Sequence, residues 1–238
     1  MKNNITYRIL CSKDGDFKKY EKILGKIPGA GYFQAIDPYS DIWKYHIETL
    51  FTQNFGKRIP YSISRHEIAR TISHYNVLSK PSHTKWLCIL EDNVDFNKIH
   101  LDAAINSTPS DALLIYLGGY ISSELLEDDF YSDKYGVNLG LSSYRGWFRT
   151  KRGVMGISGY AVNTRHSEFE SFRDEIGEIV VSGKVLELVL ANEIQTRFPC
   201  YVYAGKLVKS EPGNYMDFGS RFKESNAVDQ WMEICRKK

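Results

Sequence analysis

The sequence of 238 residues contains no apolar run approaching the roughly 18 residues that mark a membrane-spanning helix, so no transmembrane segment is expected. Its first residues, MKNNITYRILCSKDGD, place charges on both sides of a short apolar stretch and lack a small-residue cleavage site, so no signal peptide and a cytoplasmic location are expected. Cysteine is scarce. Cys11, Cys88, Cys200 and Cys235 form no Cys-x-x-Cys pair, and the first three sit in apolar, strand-like segments, the setting of buried reduced thiols. An excess of one charge is also missing: the net charge is only +2, so binding of a polyanion has to come from a local patch. Internal repeats, low-complexity tracts and Pro/Gly/Ser linkers are absent, and residues 1–238 read as a single domain.

What is present alternates between two periodicities. Strands are expected at Ile5–Cys11, Tyr32–Ile36, Trp86–Leu90, Ala112–Leu117, Val154–Val162 and Tyr201–Tyr203. Helices are expected at Asp16–Ile27, Ser40–Phe55, Ser64–Ser79, Lys98–Ile105 and Lys184–Phe198. The segment 118–153 has no clean period and is expected to be loop-rich. Such alternation predicts an α/β fold with a mainly parallel sheet flanked by helices, whose site lies at the carboxyl ends of the strands.

One strand end stands out. Trp86-Leu87-Cys88-Ile89-Leu90 runs directly into Glu91-Asp92-Asn93-Val94-Asp95. Crowded carboxylates repel one another, and a divalent cation with hard oxygen ligands, Mg²⁺ or Mn²⁺, resolves the repulsion while bridging a diphosphate. The alternative is a polar turn in which Asp92 or Asn93 caps the next helix. Upstream, Ser64 and Glu67 have the spacing of a capping box, and Ile68, Ile72, Tyr75 and Leu78 form a buried stripe. A histidine in such a helix, here His74, is more often a packed or surface residue than a catalytic one.

Taken together, these segments resemble glycosyltransferase family 25, the lipooligosaccharide and collagen galactosyltransferases. Glu67-Ile68-Ala69-Arg70-Thr71-Ile72-Ser73-His74 is similar to the family's E-I-G-C-x-x-S-H stretch, and Ile89-Leu90-Glu91-Asp92-Asn93-Val94 to its I-L-E-D-D-V strand end. Phe33-Gln34-Ala35-Ile36-Asp37 resembles F-x-A-V-D, and Gly156 to Val162 resembles G-T-x-G-Y-x-I. Lys206-Leu207-Val208 with Ser210 is like the P-L-V-x-Q-S tail. The resemblance implies a GT-A (Rossmann-like) fold, a nucleoside-diphosphate sugar donor, UDP-linked in the first instance, and metal-assisted inverting transfer of a hexose or pentose. It implies that Ala35 and Asp37 meet the nucleoside, that Ser73 and His74 line the donor pocket with Glu91 and Asp92, and that Asp92, Asn93 and Asp95 hold Mn²⁺ or Mg²⁺. For the base that deprotonates the acceptor it points to Glu187, with Glu193 second.

The sequence departs from the family pattern at Asn93, where the family has a third acid, at Ala69-Arg70, where it has Gly-Cys, and at Ser12-Lys13-Asp14-Gly15-Asp16, where it is Arg-rich. An acceptor region is expected in the basic-aromatic stretch 144–152, with Tyr144, Arg145, Trp147 and Arg149 as contacts. Two acceptors suit it: DNA carrying hydroxymethylated cytosine, as bacteriophages make, or a lipopolysaccharide core saccharide. Two other classes stay open, a non-catalytic binding protein of the same fold and a sugar-nucleotide hydrolase.

Overall fold

The computed structural model describes residues 4–12, 17–55, 65–118, 120–121, 146–150, 153–182, 184–203 and 207–210. Its centre is a seven-stranded sheet in the order β2-β1-β3-β9-β5-β10-β7. The strands are β1 (Ile5–Cys11), β2 (Gly31–Gln34), β3 (Trp86–Glu91), β5 (Leu114–Tyr116), β7 (Trp147–Thr150), β9 (Gly159–Asn163) and β10 (Cys200–Tyr203). β2, β1, β3, β5 and β10 run one way; β9 and β7 run against them. The sheet is therefore mixed, with its parallel character carried by the strands of the expected α/β pattern. Along β3, Leu87 and Ile89 enter the core on one face, and Trp86, Cys88 and Leu90 enter the core on the other. A strand covered on both faces has no solvent side to keep polar, so it reads as an unbroken apolar run.

Helices α1 (Phe17–Lys26) and α4 (Lys98–Asn106) cover one face, through Ile23 from the first and Leu101, Ala104 and Ile105 from the second. α3 (Arg65–Leu78) and α5 (Phe169–Ser182) cover the other, through Val77, Leu78, Phe172 and Ile176. α2 (Asp41–Phe55) packs on α3 through Ile47, Ile68 and Ile72. Among the described residues no helix is long and apolar enough to cross a membrane. Cys11, Cys88 and Cys200 are buried free thiols, and burial pushes all three above the ordinary thiol range.

Several elements differ from the sequence expectation. α5 is absent from it, although Phe169, Phe172, Ile176 and Ile179 carry a buried helical stripe. The segment 154–162 is not one strand. Gly156 adopts φ of 119°, a conformation that favours glycine, and this turn separates β8 (Val154–Met155) from β9. β8 leaves the main sheet and pairs with β6 (Tyr120–Ile121). The helical stretch 186–197 is an α-turn (Leu186–Val189), a π-turn (Leu190–Ile194) and a last α-turn (Gln195–Arg197). Within the π-turn the Ala191 carbonyl accepts a hydrogen bond from Gly153 N at 2.7 Å, tying the turn before β8 to this stretch. Buried Gln195 repeats the tie by accepting from Val154 N at 3.2 Å and donating to Val154 O.

Two contacts fix the opposite ends of the strands. Arg8, in β1, reaches past Phe33 and donates to the carbonyls of Val77 (2.7 Å), Lys80 (2.8 Å) and Pro81. It thereby ties the carboxyl end of α3 and the turn after it to the sheet. At the opposite end of the strands, β11 (Val208–Ser210) pairs with β4 (Val94–Phe96), and Val208 closes over two glycines. A Cβ on Gly159 would lie 2.6 Å from Val208 Cγ1, and one on Gly118 would lie 2.4 Å from the Val208 carbonyl oxygen. Gly159→Ala is therefore expected to cost about 1–3 kcal/mol by overpacking, read as a lowered urea midpoint. Gly118→Ala, blocked by backbone, should cost at least as much. Midpoints equal to that of the parent chain would mean that the 207–210 segment does not close this edge.

Candidate functional site

The carboxyl ends of β1 and β3 and the start of β9 converge. Glu91 N donates to Ser158 O at 2.9 Å and Asp92 N to Leu10 O at 3.0 Å, so the acidic turn is clamped between two neighbours. Asp92 then turns back toward β1. Its Oδ2 accepts from Ser12 N at 2.9 Å and from Ser12 Oγ at 3.1 Å. The Asn93 Oδ1 beside it is buried and accepts no hydrogen bond.

Glu91 itself is 8% exposed and is the hub of a polar array. Its Oε1 accepts from Arg70 Nε at 2.7 Å and lies 3.3 Å from His74 Nε2. His74 is fully buried, and its Nδ1 is 3.1 Å from the Tyr160 hydroxyl. Burial lowers the His74 pKa, against the opposing pull of Glu91. The neutral ring then donates from Nε2 to the carboxylate and accepts at Nδ1 from Tyr160, whose phenol is held protonated, above its ordinary range, by burial first. Burial alone would raise the Glu91 pKa, but the Arg70 charge and the His74 and Arg70 hydrogen bonds outweigh it, and Glu91 is held well below the usual carboxylate range. Arg70 continues the array, with NH1 3.4 Å from Glu187 Oε2 and NH2 3.3 Å from Ser158 Oγ. The other Glu187 oxygen accepts from Gly156 N at 2.7 Å.

The array makes stability depend on acid. Below about pH 6.5 the unfolded chain protonates His74 while the folded chain resists, and below about pH 4.3 the same holds for Glu91. Both groups withdraw stability as pH falls, and neither does so above neutrality. The urea midpoint is expected to drop between pH 7.5 and 5.5, and the drop should shrink in His74→Gln. An equal drop in that variant would remove His74 as its cause.

The residues singled out from the sequence are distributed unevenly over this geometry. Glu91, Asp92, Asn93 and Glu187 come to the same sheet edge. Ser73 and His74 are 2% and 0% exposed and stand behind it. Ser73 Oγ donates to Ala69 O at 2.6 Å and accepts from Ile36 N at 2.8 Å, which docks the Ala35-Ile36-Asp37 segment onto α3. Asp37 Oδ1 accepts from Tyr39 N at 2.9 Å in the turn into α2. Asp95 does not join Asp92 and Asn93. In β4 the side chains of Val94 and Phe96 turn inward and that of Asp95 turns to solvent, where it pairs with Lys26 of α1. Glu193 is also apart. It lies on the π-turn, half exposed, with Lys184 Nζ at 3.2 Å.

The expected acceptor stretch divides. Tyr144, Arg145, Lys151 and Arg152 lie outside the described residues. Trp147 is 0% exposed and its Nε1 donates to Ala104 O at 3.2 Å, so its ring packs in the core against α4. It is no stacking surface. Arg149 is exposed, 3.8 Å from Asp111, and its strand is the sheet edge beyond β9, β5 and β10 from β3. Four strand spacings put it about 19 Å from β3.

Among the described residues, no group of three His, Cys, Asp or Glu side chains is placed to hold a metal ion. Of the expected ligands to a divalent cation, Asp92 and Asn93 remain together at this turn. The buried Asn93 Oδ1 is an acceptor that such an ion would satisfy. Four participants carried no functional expectation: Arg70, Ser158, Tyr160 and the Gly156 N–H. For Arg70 the available signal was its helical spacing, one turn before His74 and so on the same face of α3.

No protein-family model matches the chain, and no curated protein matches it in sequence. Among solved structures it is similar to a glycosyltransferase involved in the glycosylation of the major capsid of PBCV-1, at 11% identity and a TM-score of 0.46, over 96% of this chain and 99% of that one. It is also similar to mouse xyloside xylosyltransferase 1, at 8% identity and a TM-score of 0.37, over 85% and 79%. Values this low bear on neither substrate nor residue roles.

Proposed function

We propose that the chain is a GT-A-type glycosyltransferase that moves a sugar from a nucleoside-diphosphate donor, UDP-linked, to an acceptor hydroxyl with inversion. One observation carries this reading. The segments that resemble family 25, 67–74, 89–94 and 156–162, meet at one sheet edge through the side chains of Arg70, His74, Glu91, Ser158 and Tyr160. Segments far apart in sequence thus share one polar array at the strand ends, where the site of an α/β sheet lies.

In this reading the Ala35-Ile36-Asp37 segment, docked by Ser73, receives the nucleoside. Asp92 and Asn93 would hold Mn²⁺ or Mg²⁺, which supplies positive charge to the leaving diphosphate. The local charge supports that need: among the described residues at this edge, Glu91, Asp92 and Glu187 outnumber Arg70, so a diphosphate would meet repulsion without a cation. Glu187 accepts the proton of the attacking hydroxyl as the bond to the sugar forms on the face opposite the diphosphate. Glu193, paired with Lys184 in solvent, is the weaker candidate.

Trp147 is buried and can stack on neither a displaced base nor a sugar, which leaves Phe148 of the pair Trp147-Phe148; the net charge of only +2 favours a saccharide over a large duplex as acceptor. The test offers UDP-sugars with core oligosaccharide or with hydroxymethylcytosine DNA and reads products by mass spectrometry, with the anomer assigned by NMR. Transfer to the saccharide with inversion is the expected result. Transfer to DNA, or DNA binding that weakens steeply with salt and less so in Arg149→Ala, would overturn the acceptor assignment. Calorimetric binding of UDP with Mn²⁺ but no turnover would leave a binding protein, and donor turnover without acceptor would leave a hydrolase.

A further inference from the structure

Arg70 occupies the position where the resembled family has a small side chain, and here it contacts both Glu91 and Glu187. Its three guanidinium nitrogens each have a partner on a different element. Nε meets Glu91 at the end of β3 (2.7 Å), NH1 meets Glu187 in the stretch 186–197 (3.4 Å), and NH2 meets Ser158 in the turn before β9 (3.3 Å). The guanidinium is a rigid planar fork, so fixing it at Glu91 fixes where NH1 points. Glu91 is itself immobilised by His74 and, through it, by Tyr160. Glu187 is gripped from the other side by Gly156 N at 2.7 Å, so its two oxygens have separate anchors. The side chains of Arg70, Glu91 and Glu187 retain 21%, 11% and 16% exposure, which places them in the wall of the edge rather than sealed within it.

We infer that Arg70 is the positioning residue of the transfer: anchored on Glu91, it holds the Glu187 carboxylate in the orientation in which it accepts the acceptor's proton. The inference rests on the reading of Glu187 as base. Arg70 acts through Glu187 and touches neither donor nor acceptor. Two carboxylates already engage its charge, and a residue in that state contributes orientation more than attraction for an incoming diphosphate. Small displacements of a reacting group are costly to rate, so losing the fork should appear in kcat while donor binding holds.

The experiment compares Arg70→Lys, Glu187→Gln and the double variant with the parent chain in steady-state transfer, with circular dichroism and UDP affinity measured in parallel. Lysine keeps a cation beside Glu91 but cannot bridge Glu91, Glu187 and Ser158 at once. Arg70→Lys is expected to lower kcat by about 10- to 100-fold with little change in donor KM. The double variant should then be no slower than Glu187→Gln, because a residue acting through Glu187 has nothing left to position. Multiplied losses in the double variant, or a raised donor KM at unchanged kcat, would overturn the role of Arg70 while leaving Glu187 in place. An unimpaired Glu187→Gln would instead sink the base reading itself. Should Arg70→Lys fail to fold, Ser158→Ala removes the third anchor of the same fork, and full kcat in that variant overturns the inference.

Discussion

Asp92→Ala is expected to slow glycosyl transfer by roughly 10²-fold or more, the scale of losing a principal stabiliser of developing charge. The group lies beyond the last core residue of β3. Its carboxylate serves Ser12 N and Oγ, a half-exposed link between two strand ends, so removing it should leave the fold intact. Asp92→Asn separates charge from structure. The amide oxygen can still accept from Ser12, yet the negative charge that would hold a cation is gone, so transfer should stay low while the urea midpoint recovers. The direction reverses at the neighbouring position: Asn93→Asp adds a hard anionic ligand and should tighten Mn²⁺ binding by calorimetry. Near-normal turnover of a folded Asp92→Ala would remove the metal and diphosphate from this strand end.

The second large effect is expected at Glu187. Glu187→Gln retains the shape and an oxygen able to accept from Gly156 N, but an amide cannot take a proton, so kcat should fall by about 10²- to 10⁴-fold with donor affinity little changed. A matching loss of UDP affinity would recast Glu187 as a donor contact. Glu193→Gln should do little, since Glu193 faces solvent with Lys184; a large effect there alone would move the base to the π-turn.

Other residues show why some of the site is readable in advance and some is not. Asp92 and Asn93 were legible because a fully apolar strand must end at the sheet edge, and whatever polar groups follow it are delivered there by local geometry alone. The same reasoning failed for Asp95, three residues beyond Asp92. It assumed that nearness in sequence is nearness in space, whereas β4 alternates its side chains and turns Asp95 toward Lys26. Trp147 failed for a related reason. A basic-aromatic stretch without period reads as a surface loop, but four of its residues pair with β10, and that pairing lays Trp147 against α4.

Local chemistry in the sequence by itself therefore determined the alternation of strands and helices, the buried central strand and the acidic turn at its end, since each depends on periodicity and burial over a few residues. It did not determine that β9 and β7 run backwards, because strand direction depends on connections that periodicity does not carry. Nor did it determine the partners of Arg70. A charged residue in a helix is ordinarily solvated, and only the packing of α3 against β3 and the stretch 186–197 brings its fork to Glu91 and, 117 positions away in sequence, to Glu187. Charge pairing of that range is decided by tertiary structure, because the Coulomb attraction that holds it acts over a few ångströms of space and is indifferent to distance along the chain.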